Sequence, residues 1–343
     1  MKLSYVLTEY DYDLPPALIA KKPASPRDSA RLMIYNRADS SVKFDVFSKI
    51  IEYLPKDCVL VFNQTKVIPA KFELKKTTGG TVPALLIETR KNEIVVLASG
   101  SLKPDEILKW GNRCSFKVMC RTEREAVLKP STCIKAFQIL LNKYGQTPLP
   151  PYLKDSPLSE NRRRKEYQTI FAKDNGSVAA PTAGLHFTKD LIKKIIQAGH
   201  EIEYVTLHVN LGTFAPLTDK QMKTGKLHLE HFSIDKSTIA RLNDAKKLGR
   251  PIVAIGTTTV RTLESASEGK SLKRLSGSTD LFITENYKPH FVDHLITNFH
   301  VPKSSLMMLV SAFTGRQKLI NLYKQAIDER IRFFSFGDGM MII

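Results

Sequence analysis

The pattern of apolar residues changes character between residues 67 and 130, and this change limits most strongly what the chain can fold into. Short β-like runs are separated there by turn-forming residues, the runs being 84–89, 93–98, 115–119 and 125–128. Several short strands at close spacing are typical of a small barrel. A helix is predicted to follow, because Ile134, Phe137, Leu140 and Leu141 share one face and Gly145 stands just past its end.

On either side of this segment the pattern is that of an α/β protein, in which strands and helices alternate. The apolar run 58–62, closed by the polar cluster 63–66, predicts a buried strand leading into a loop. The second half predicts, in turn, helix 188–198, strand 201–209, helix 237–248, strand 251–255, a helix through Ala266, and helices 305–313 and 318–331. We therefore expect an α/β main domain, residues 1–66 and 152–343, interrupted by an inserted β-barrel domain, residues 67–151.

The chain is strongly basic, with 52 Lys and Arg against 34 Asp and Glu and a net charge of +18. Such a charge favours a polyanionic partner, nucleic acid first, although a lysine-rich proteome would give the same balance. The densest basic run, Arg162-Arg163-Arg164-Lys165, could bind phosphates with Tyr167 beside it for stacking, or be a solvated linker. No apolar stretch approaches the roughly 18 residues of a membrane helix, and we expect a cytoplasmic protein.

The turn Gly256-Thr257-Thr258-Thr259 lies between a predicted strand and a predicted helix. A turn of this kind presents free backbone N–H groups and three hydroxyls to a ligand. The alternative is that Thr258 or Thr259 only caps the helix. Arg261 favours the ligand, because a cation in the first helical turn opposes the helix dipole.

Histidines mark three further places. His186 precedes a predicted helix and could transfer protons near neutral pH, or be a structural hydrogen-bonding residue. A predicted strand ends among polar and small residues, where open α/β sheets place ligands; these are His208, Asn210, Gly212 and Thr213. His228-Leu229-Glu230-His231 and the group His290, Asp293 and His294 fit no zinc motif, so we expect no metal.

A series of motifs, taken together and in order, is similar to the S-adenosylmethionine:tRNA ribosyltransferase-isomerase family. The motifs are YDLP at 12–15, PRDS at 26–29, VFN at 61–63, PLPPY at 148–152, YQT at 167–169, GSVAAPTAGLHF at 176–187, TLHV at 206–209, GTF at 212–214, GTT at 256–258, LITNFH at 295–300, LVSAF at 309–313 and GD at 337–338. The resemblance runs nearly from end to end.

The resemblance implies an enzyme of queuosine biosynthesis with an inserted barrel. It would move the ribosyl group of S-adenosylmethionine, its donor substrate, onto 7-aminomethyl-7-deazaguanine at the wobble position of a tRNA. Epoxyqueuosine would form, and adenine and methionine would be released. The partner is then the tRNA, no metal takes part, and we expect a monomer. Two alternatives are a non-catalytic tRNA-binding protein and a metal-dependent hydrolase that uses His228, Glu230 and His231.

Site residues follow from the motifs and from this chemistry, which requires a base and an acid. We expect proton transfer by His186 and Asp338. The residues expected to hold the donor or the base are Asn63, Thr182, Thr257, Thr258 and Arg261. The residues expected nearer the RNA are Arg27, Lys66, Arg162, Arg163, Arg164 and Lys165.

The chain departs from the usual family pattern at five positions. Gln64 replaces Asp, Lys66 replaces Arg, Asn210 replaces Gly, and Leu229 and His231 replace the Ser and Trp that flank Glu230. Gln64 cannot act as an acid or base, while Lys66 keeps the charge without the two-pronged fork of arginine.

Overall fold

The protein is seen in a computed structural model that describes residues 3–122, 124–209 and 217–343. Its strands are β1 Arg31–Tyr35, β2 Val42–Val46, β3 Val59–Asn63, β4 Thr65–Val67, β5 Lys71–Lys76, β6 Thr81–Thr89, β7 Ile94–Ala98, β8 Ile107–Trp110, β9 Cys114–Arg121, β10 Glu125–Pro130, β11 Asp174–Ser177, β12 Glu201–Leu207, β13 Lys226–Ser233, β14 Ile252–Ile255, β15 Ser267–Glu268, β16 Ser271–Leu272, β17 Ser276–Leu281, β18 His294–Asn298 and β19 Gly339–Ile342.

The helices lie between these strands. The α-helices are α1 Leu3–Thr8, α2 Ile134–Tyr144, α3 Glu160–Glu166, α4 Lys189–Gln197, α5 Asp219–Thr224, α6 Lys236–Lys247, α7 Thr257–Ala266, α8 Ser305–Thr314 and α9 Arg316–Asp328. Short 3-10 helices cover Pro16–Leu18, Arg27–Ser29, Phe47–Glu52, Pro151–Leu153 and Thr182–His186. Among the described helices, none has the length and apolar content that crossing a membrane requires.

A nine-stranded sheet forms the centre of the main domain, in the order β17-β13-β12-β3-β14-β18-β19-β1-β2. Its middle strands β12, β3, β14 and β18 are parallel, so their carboxyl ends meet at one edge. β3 and β14 are buried on both faces, because Val61 and Ala254 face one apolar core while Leu60 and Val253 face the other. Buried parallel strands have such continuous apolar runs.

The predicted inserted barrel is present and closed, with the antiparallel order β10-β7-β6-β5-β8-β9. Its core is separate from those of the sheet, and α2 contributes Phe137 and Leu141 to it. The fold class predicted from the sequence, α/β with an inserted β-barrel, is confirmed. The domain boundaries at residues 67 and 151 stay a prediction.

The two ends of the barrel segment are held against each other. The backbone of Lys71 exchanges hydrogen bonds of 3.1 and 2.7 Å with Gln146. Gly145 ends α2 as predicted, although its φ of −66° is not left-handed. A Cβ there would lie 2.0 Å from the carbonyl oxygen of Pro69, so glycine is required by this close approach.

Candidate active site

A pocket, here called the edge pocket, opens where the parallel strands end. It is lined by residues at or just after the ends of β12, β14 and β18, among them Val209, Gly256 and Asn298, and by the 3-10 helix that contains Thr182. It encloses about 580 Å³ of empty space, counting its open mouth. Ligands of open α/β sheets bind at this position.

The amino terminus of α7 faces the edge pocket. Gly256 precedes the helix with φ of 92°, and no side chain caps the helix. The alternative that Thr258 or Thr259 is the cap is therefore wrong: the hydroxyl of Thr259 donates 2.8 Å back to the carbonyl oxygen of Ile255. Thr257 and Thr258 line the pocket. The N–H of Thr259 bonds the carbonyl oxygen of Gly256 at 3.1 Å, which leaves the N–H groups of Thr257 and Thr258 available to a polar or anionic group of a ligand.

Asn298, the last residue of β18, lines the edge pocket and has an unsatisfied hydrogen-bond acceptor. Its side chain is 2% exposed. Its Nδ2 donates 3.1 Å to Nε2 of His186, whereas its Oδ1 has no partner among the described residues. A buried carbonyl oxygen without a hydrogen bond is costly, so we read this atom as an acceptor for an N–H or O–H of a ligand.

His186 lies behind Asn298 and does not itself line the edge pocket. Its ring stacks on Phe47 with 4.6 Å between centroids. Burial lowers the pKa of His186 to about 4, although the nearby Asp338 carboxylate opposes this shift. The imidazole is therefore neutral near pH 7 and accepts the hydrogen bond from Asn298. Its predicted role in proton transfer stays a prediction, since its connection to the pocket runs through an amide.

Asp338 lies beside Asn298, because Gly339 pairs with Asn298 across β18 and β19. Its carboxylate is buried and accepts hydrogen bonds from the backbone N–H groups of Arg31 and Arg332, at 3.0 and 2.8 Å. The guanidinium of Arg332 donates a further bond of 2.7 Å. Proton transfer by Asp338 stays a prediction, and these contacts favour a positioning role, because the carboxylate is already occupied by several donors.

Asn63 holds the site together from the end of β3 without lining the pocket. Its Nδ2 donates to the carbonyl oxygen of Leu207 and to Oγ1 of Thr258, at 3.1 and 3.2 Å. Its Oδ1 accepts from the N–H groups of Thr65 and Leu207. With both ends of the amide occupied, Asn63 positions Thr258, and direct donor binding by Asn63 remains a prediction.

Other residues of the edge pocket were not singled out in the sequence. Tyr152, Phe299 and Phe334 supply aromatic surface, and the hydroxyl of Tyr152 lies 2.8 Å from that of Ser335. Burial raises the pKa of Tyr152 to about 12. Phe334 has φ of 71°, which a bulky residue rarely adopts. The motifs contained Tyr152 and Phe299, but membership of a motif does not say which side chain faces a cavity.

A second imidazole, that of His300, lines the edge pocket directly. Its Nε2 lies 2.9 Å from the hydroxyl of Thr297. Burial lowers the pKa of His300 to about 3, so this ring too is neutral at pH 7. The LITNFH motif contains His300. Its position just after the end of β18 was the feature of the sequence from which a place in the pocket could have been inferred.

Arg261 does not reach the edge pocket. It is 5% exposed and forms a buried ion pair with Glu230. It lines a second pocket that adjoins the first and shares Leu306 with it. Of the five residues predicted to hold the donor or the base, three, Thr182, Thr257 and Thr258, therefore line the edge pocket.

The predicted RNA-facing residues fall into two groups. Arg27, Arg163 and Arg164 are partly buried and donate to backbone carbonyls, for example from Arg27 to Glu166 at 2.8 Å and from Arg164 to Asn142 at 2.6 Å. Lys66, Arg162 and Lys165 are exposed. The expectation that Tyr167 stacks on a base is wrong, because its side chain is 0% exposed.

Gln64, which departs from the family pattern, is hydrogen-bonded to a neighbouring carboxylate. Its Nε2 donates to Asp174 at 3.2 Å, and the hydroxyl of Thr206 donates to the same carboxylate at 2.6 Å. Nδ1 of His208 is hydrogen-bonded to the hydroxyl of Thr65 at 2.8 Å. Asn210, Gly212 and Thr213, predicted to crowd the same strand end, lie outside the described residues.

The metal-hydrolase alternative requires His228, Glu230 and His231 to converge, and the strand prevents this. In β13 Glu230 points inward, whereas His231 is exposed and pairs with Ser278. Successive side chains of a strand point to opposite faces. Across residues 3–122, 124–209 and 217–343, no group of three His, Cys, Asp or Glu side chains is close enough to hold a metal ion.

A ligand pocket at the carboxyl ends of the parallel strands of a mixed sheet, with a helix amino terminus and an unpartnered buried amide oxygen beside it, is the site of an α/β enzyme. The sequence profile described as queuosine biosynthesis protein matches residues 7–342. The chain therefore belongs to the queuosine biosynthesis protein family, and the predicted resemblance is confirmed.

Individual relatives agree with this assignment. The S-adenosylmethionine:tRNA ribosyltransferase-isomerases of Carboxydothermus hydrogenoformans and Aquifex aeolicus are 42% and 41% identical to the chain, each alignment covering 98% of the chain and 99% of the relative. The crystal structure of S-adenosylmethionine tRNA ribosyltransferase from Thermotoga maritima matches with a TM-score of 0.57 and 32% identity. That match covers 98% of this chain and 100% of the other.

Proposed function

We propose that the protein transfers and isomerises the ribosyl group of S-adenosylmethionine onto 7-aminomethyl-7-deazaguanine at the wobble position of tRNA. The products are epoxyqueuosine in the tRNA, free adenine and methionine. Family membership and the names of the relatives support the reaction. We also propose that the protein acts as a cytoplasmic monomer and without a metal.

One observation carries this proposal at the level of the site. The uncapped first turn of α7 and the unpartnered Oδ1 of Asn298 face the same pocket, between aromatic walls. A purine nucleoside needs such a combination: aromatic surface for the base, an acceptor for its amino group, and polar backbone groups for the ribose hydroxyls. The residues present therefore fit the donor.

The chemistry requires one proton to be removed and one to be delivered. The sulfonium acidifies the 5′ carbon, a base takes that proton, the ribose ring opens, and adenine leaves as its ring nitrogen is protonated. The aminomethyl nitrogen then bonds to the sugar fragment. Methionine departs as a neutral thioether when the epoxide closes. We assign Asn298 to an N–H of adenine or of the aminomethyl group, and His186 to orienting Asn298.

The substrate base must reach the pocket from outside. A base in the anticodon loop is unstacked and can be turned out, as single-stranded RNA targets are. Lys66, Arg162 and Lys165 are the exposed members of the predicted RNA-facing set, and Lys66 lines a groove between the barrel and α3. We propose that the tRNA backbone contacts these three cations.

One assay tests the proposed function. The protein is mixed with S-adenosylmethionine and a tRNA that carries 7-aminomethyl-7-deazaguanine, and free adenine is measured with and without a chelator. We expect adenine release that requires this tRNA and that survives the chelator. Binding of tRNA without adenine release would support the non-catalytic alternative, and loss of activity in chelator would require a metal.

A further inference from the structure

The second pocket, here called the Arg261 pocket, lies next to the edge pocket and has a different chemical character. It is lined by Glu230, Arg261, Ile283, Ser305, Leu306 and Leu309, together with part of β13. Leu306 lines both pockets. Leu306 therefore stands between the two pockets, and a ligand that occupies both must pass it.

Arg261 has one donor left over in this pocket. Its Nη1 pairs with Glu230, and its Nε donates 3.2 Å to the carbonyl oxygen of Leu281. Its Nη2 is buried and has no partner among the described residues. An unpaired guanidinium N–H removed from water is costly, so an acceptor from a ligand would stabilise it.

The amino terminus of α8 contributes to the same pocket. The helix has ten residues, and Ser304 caps it by accepting from the N–H of Met307. Its first two residues, Ser305 and Leu306, line the pocket. The N–H groups at the start of a helix carry partial positive charge and favour an anion. Two independent features, a buried guanidinium donor and a helix amino terminus, thus favour an acceptor that bears negative charge.

The other residues that line the Arg261 pocket determine which kind of anion it favours. Ile283, Leu306 and Leu309 are apolar, and the Glu230 carboxylate already neutralises part of the charge of Arg261. A doubly charged phosphate would be repelled by Glu230 more strongly than a singly charged carboxylate. A carboxylate on a short aliphatic chain therefore matches these walls better than a phosphate does.

We propose that the Arg261 pocket binds the α-carboxylate of the methionyl tail of S-adenosylmethionine, with Nη2 of Arg261 as its donor. This inference rests on the proposed function, because the donor's adenosyl part must occupy the edge pocket for its tail to pass Leu306. It gives Arg261 a subsite of its own, separate from the groups that contact adenine and ribose.

The test compares S-adenosylmethionine with its decarboxylated analogue, which keeps the sulfonium, the adenosyl group and the amine. For the unchanged protein we expect kcat/KM for adenine release to be about 10- to 100-fold higher with the carboxylate, the range for a hydrogen bond between charged groups. In Arg261→Gln this ratio should fall towards one, because only the carboxylated donor loses a contact. Arg261→Lys should restore part of it.

Removing one partner of a buried ion pair can unfold a protein. The double variant Arg261→Met with Glu230→Leu removes both charges and should therefore fold, and its ratio should also fall towards one. Arg241→Gln is the matched control, because Arg241 pairs with Glu203 away from both pockets. Its ratio should stay unchanged.

Two results would overturn the inference: an unchanged protein that uses both donors equally well, or Arg261 variants that lose activity with both donors to the same extent. Calorimetric binding of the two donors separates this outcome from failure of the proposed function. Preferential binding of the carboxylated donor without adenine release would retain the subsite and reject the reaction.

Discussion

At the scale of single residues, the amide of Asn298 is the group whose surroundings are hardest to explain without a ligand. Its nitrogen is used by His186, while its oxygen is buried and unpaired. An unsatisfied acceptor costs about 1–3 kcal/mol. Asn63, at the end of β3, two strands away from β18 in the sheet, has both ends of its amide bonded within the protein. We infer from this difference that Asn63 organises the site, whereas Asn298 contacts the substrate.

We predict that Asn298→Ala lowers kcat/KM for adenine release by about 10- to 100-fold, because a hydrogen bond to the reacting system is lost. The free energy of unfolding should fall by about 1 kcal/mol, since His186 loses the hydrogen bond from Nδ2. Asn243→Ala is the control: both ends of that amide bond the backbone of Leu272. It should lose about 1 kcal/mol of stability and keep full activity. Equal kinetic effects in the two variants would contradict the role of Asn298.

His186 links the site to the acid stability of the fold. Its pKa falls from 6.5 to about 4 on folding, chiefly through burial. Below pH 6.5 the unfolded chain therefore binds a proton that the folded chain does not, and stability is lost as the pH falls towards 4. By pH 5 the loss from this one group is on the order of 2 kcal/mol.

We accordingly predict that His186→Gln shows a smaller drop in unfolding free energy between pH 7 and pH 5 than the unchanged protein, by about 2 kcal/mol. Urea unfolding at the two pH values measures it. Exposed His228→Gln serves as the comparison and should leave the drop as it is. Parallel pH profiles for all three proteins would show that His186 titrates alike in the folded and unfolded chains.

At the scale of elements, the site arises where strands that are distant in sequence end side by side. β3, β14 and β18 bring Asn63, Gly256 and Asn298 to one edge of the sheet. α7 begins immediately after β14, and Gly256 makes the turn with φ of 92°. Because α7 follows β14 directly, the strand sets the direction in which the first backbone N–H groups of α7 point.

We predict that Gly256→Ala lowers both stability and activity. Its φ is unfavourable for a residue with Cβ, at a cost of about 1 kcal/mol or more, and relieving this strain would turn the first turn of α7 away from the pocket. Gly249→Ala is matched to it, because Gly249 also has a positive φ, of 71°, but precedes the other end of β14. Both variants should lose similar stability in thermal unfolding, and only Gly256→Ala should lose adenine release. A fully active Gly256→Ala would show that the first turn contacts no substrate.

Local sequence patterns predicted some elements well because interactions between residues close in sequence determine them. The predicted strand 251–255 is β14, and the predicted helix 188–198 is α4, which Thr188 caps by accepting from the N–H of Leu191. The sequence predicts a loop where β4 lies, since the polar residues of β4 form a strand only by pairing with β11, more than 100 residues away. β5 was missed because four of its six residues are charged.

The candidate site was predictable to a similar degree. Thr257 and Thr258 could be inferred from one strand-to-helix turn. The burial of Tyr167 and the unpaired oxygen of Asn298 depend on long-range packing that no local pattern carries. The positive φ of Phe334 likewise depends on its packing and not on the local sequence.

At the scale of the whole molecule, much of the positive charge is used within the fold. Arg164 pairs with Glu160, Arg332 with Asp338 and Arg261 with Glu230. The count of 52 Lys and Arg therefore overstates the number of cations that RNA can contact. On α3, the two arginines that bind carbonyls fix the helix, which leaves Arg162 and Lys165 exposed beside the groove that contains Lys66.

This division predicts which cations set the affinity for tRNA. In the double variant Arg162→Gln with Lys165→Gln, the dissociation constant for tRNA should rise. The slope of log K against log salt should become shallower by about 1.5, because each lost contact with a single-stranded phosphate releases about 0.7 fewer counterions. Lys91→Gln with Lys324→Gln changes the net charge equally at exposed positions on the barrel and on α9. Titrations of tRNA at several salt concentrations compare the pairs. If both pairs reduced the slope alike, the RNA would respond to overall charge and the groove beside α3 would have no special part. If only the first pair does so, the structural arginines of α3 position the two cations that bind the RNA.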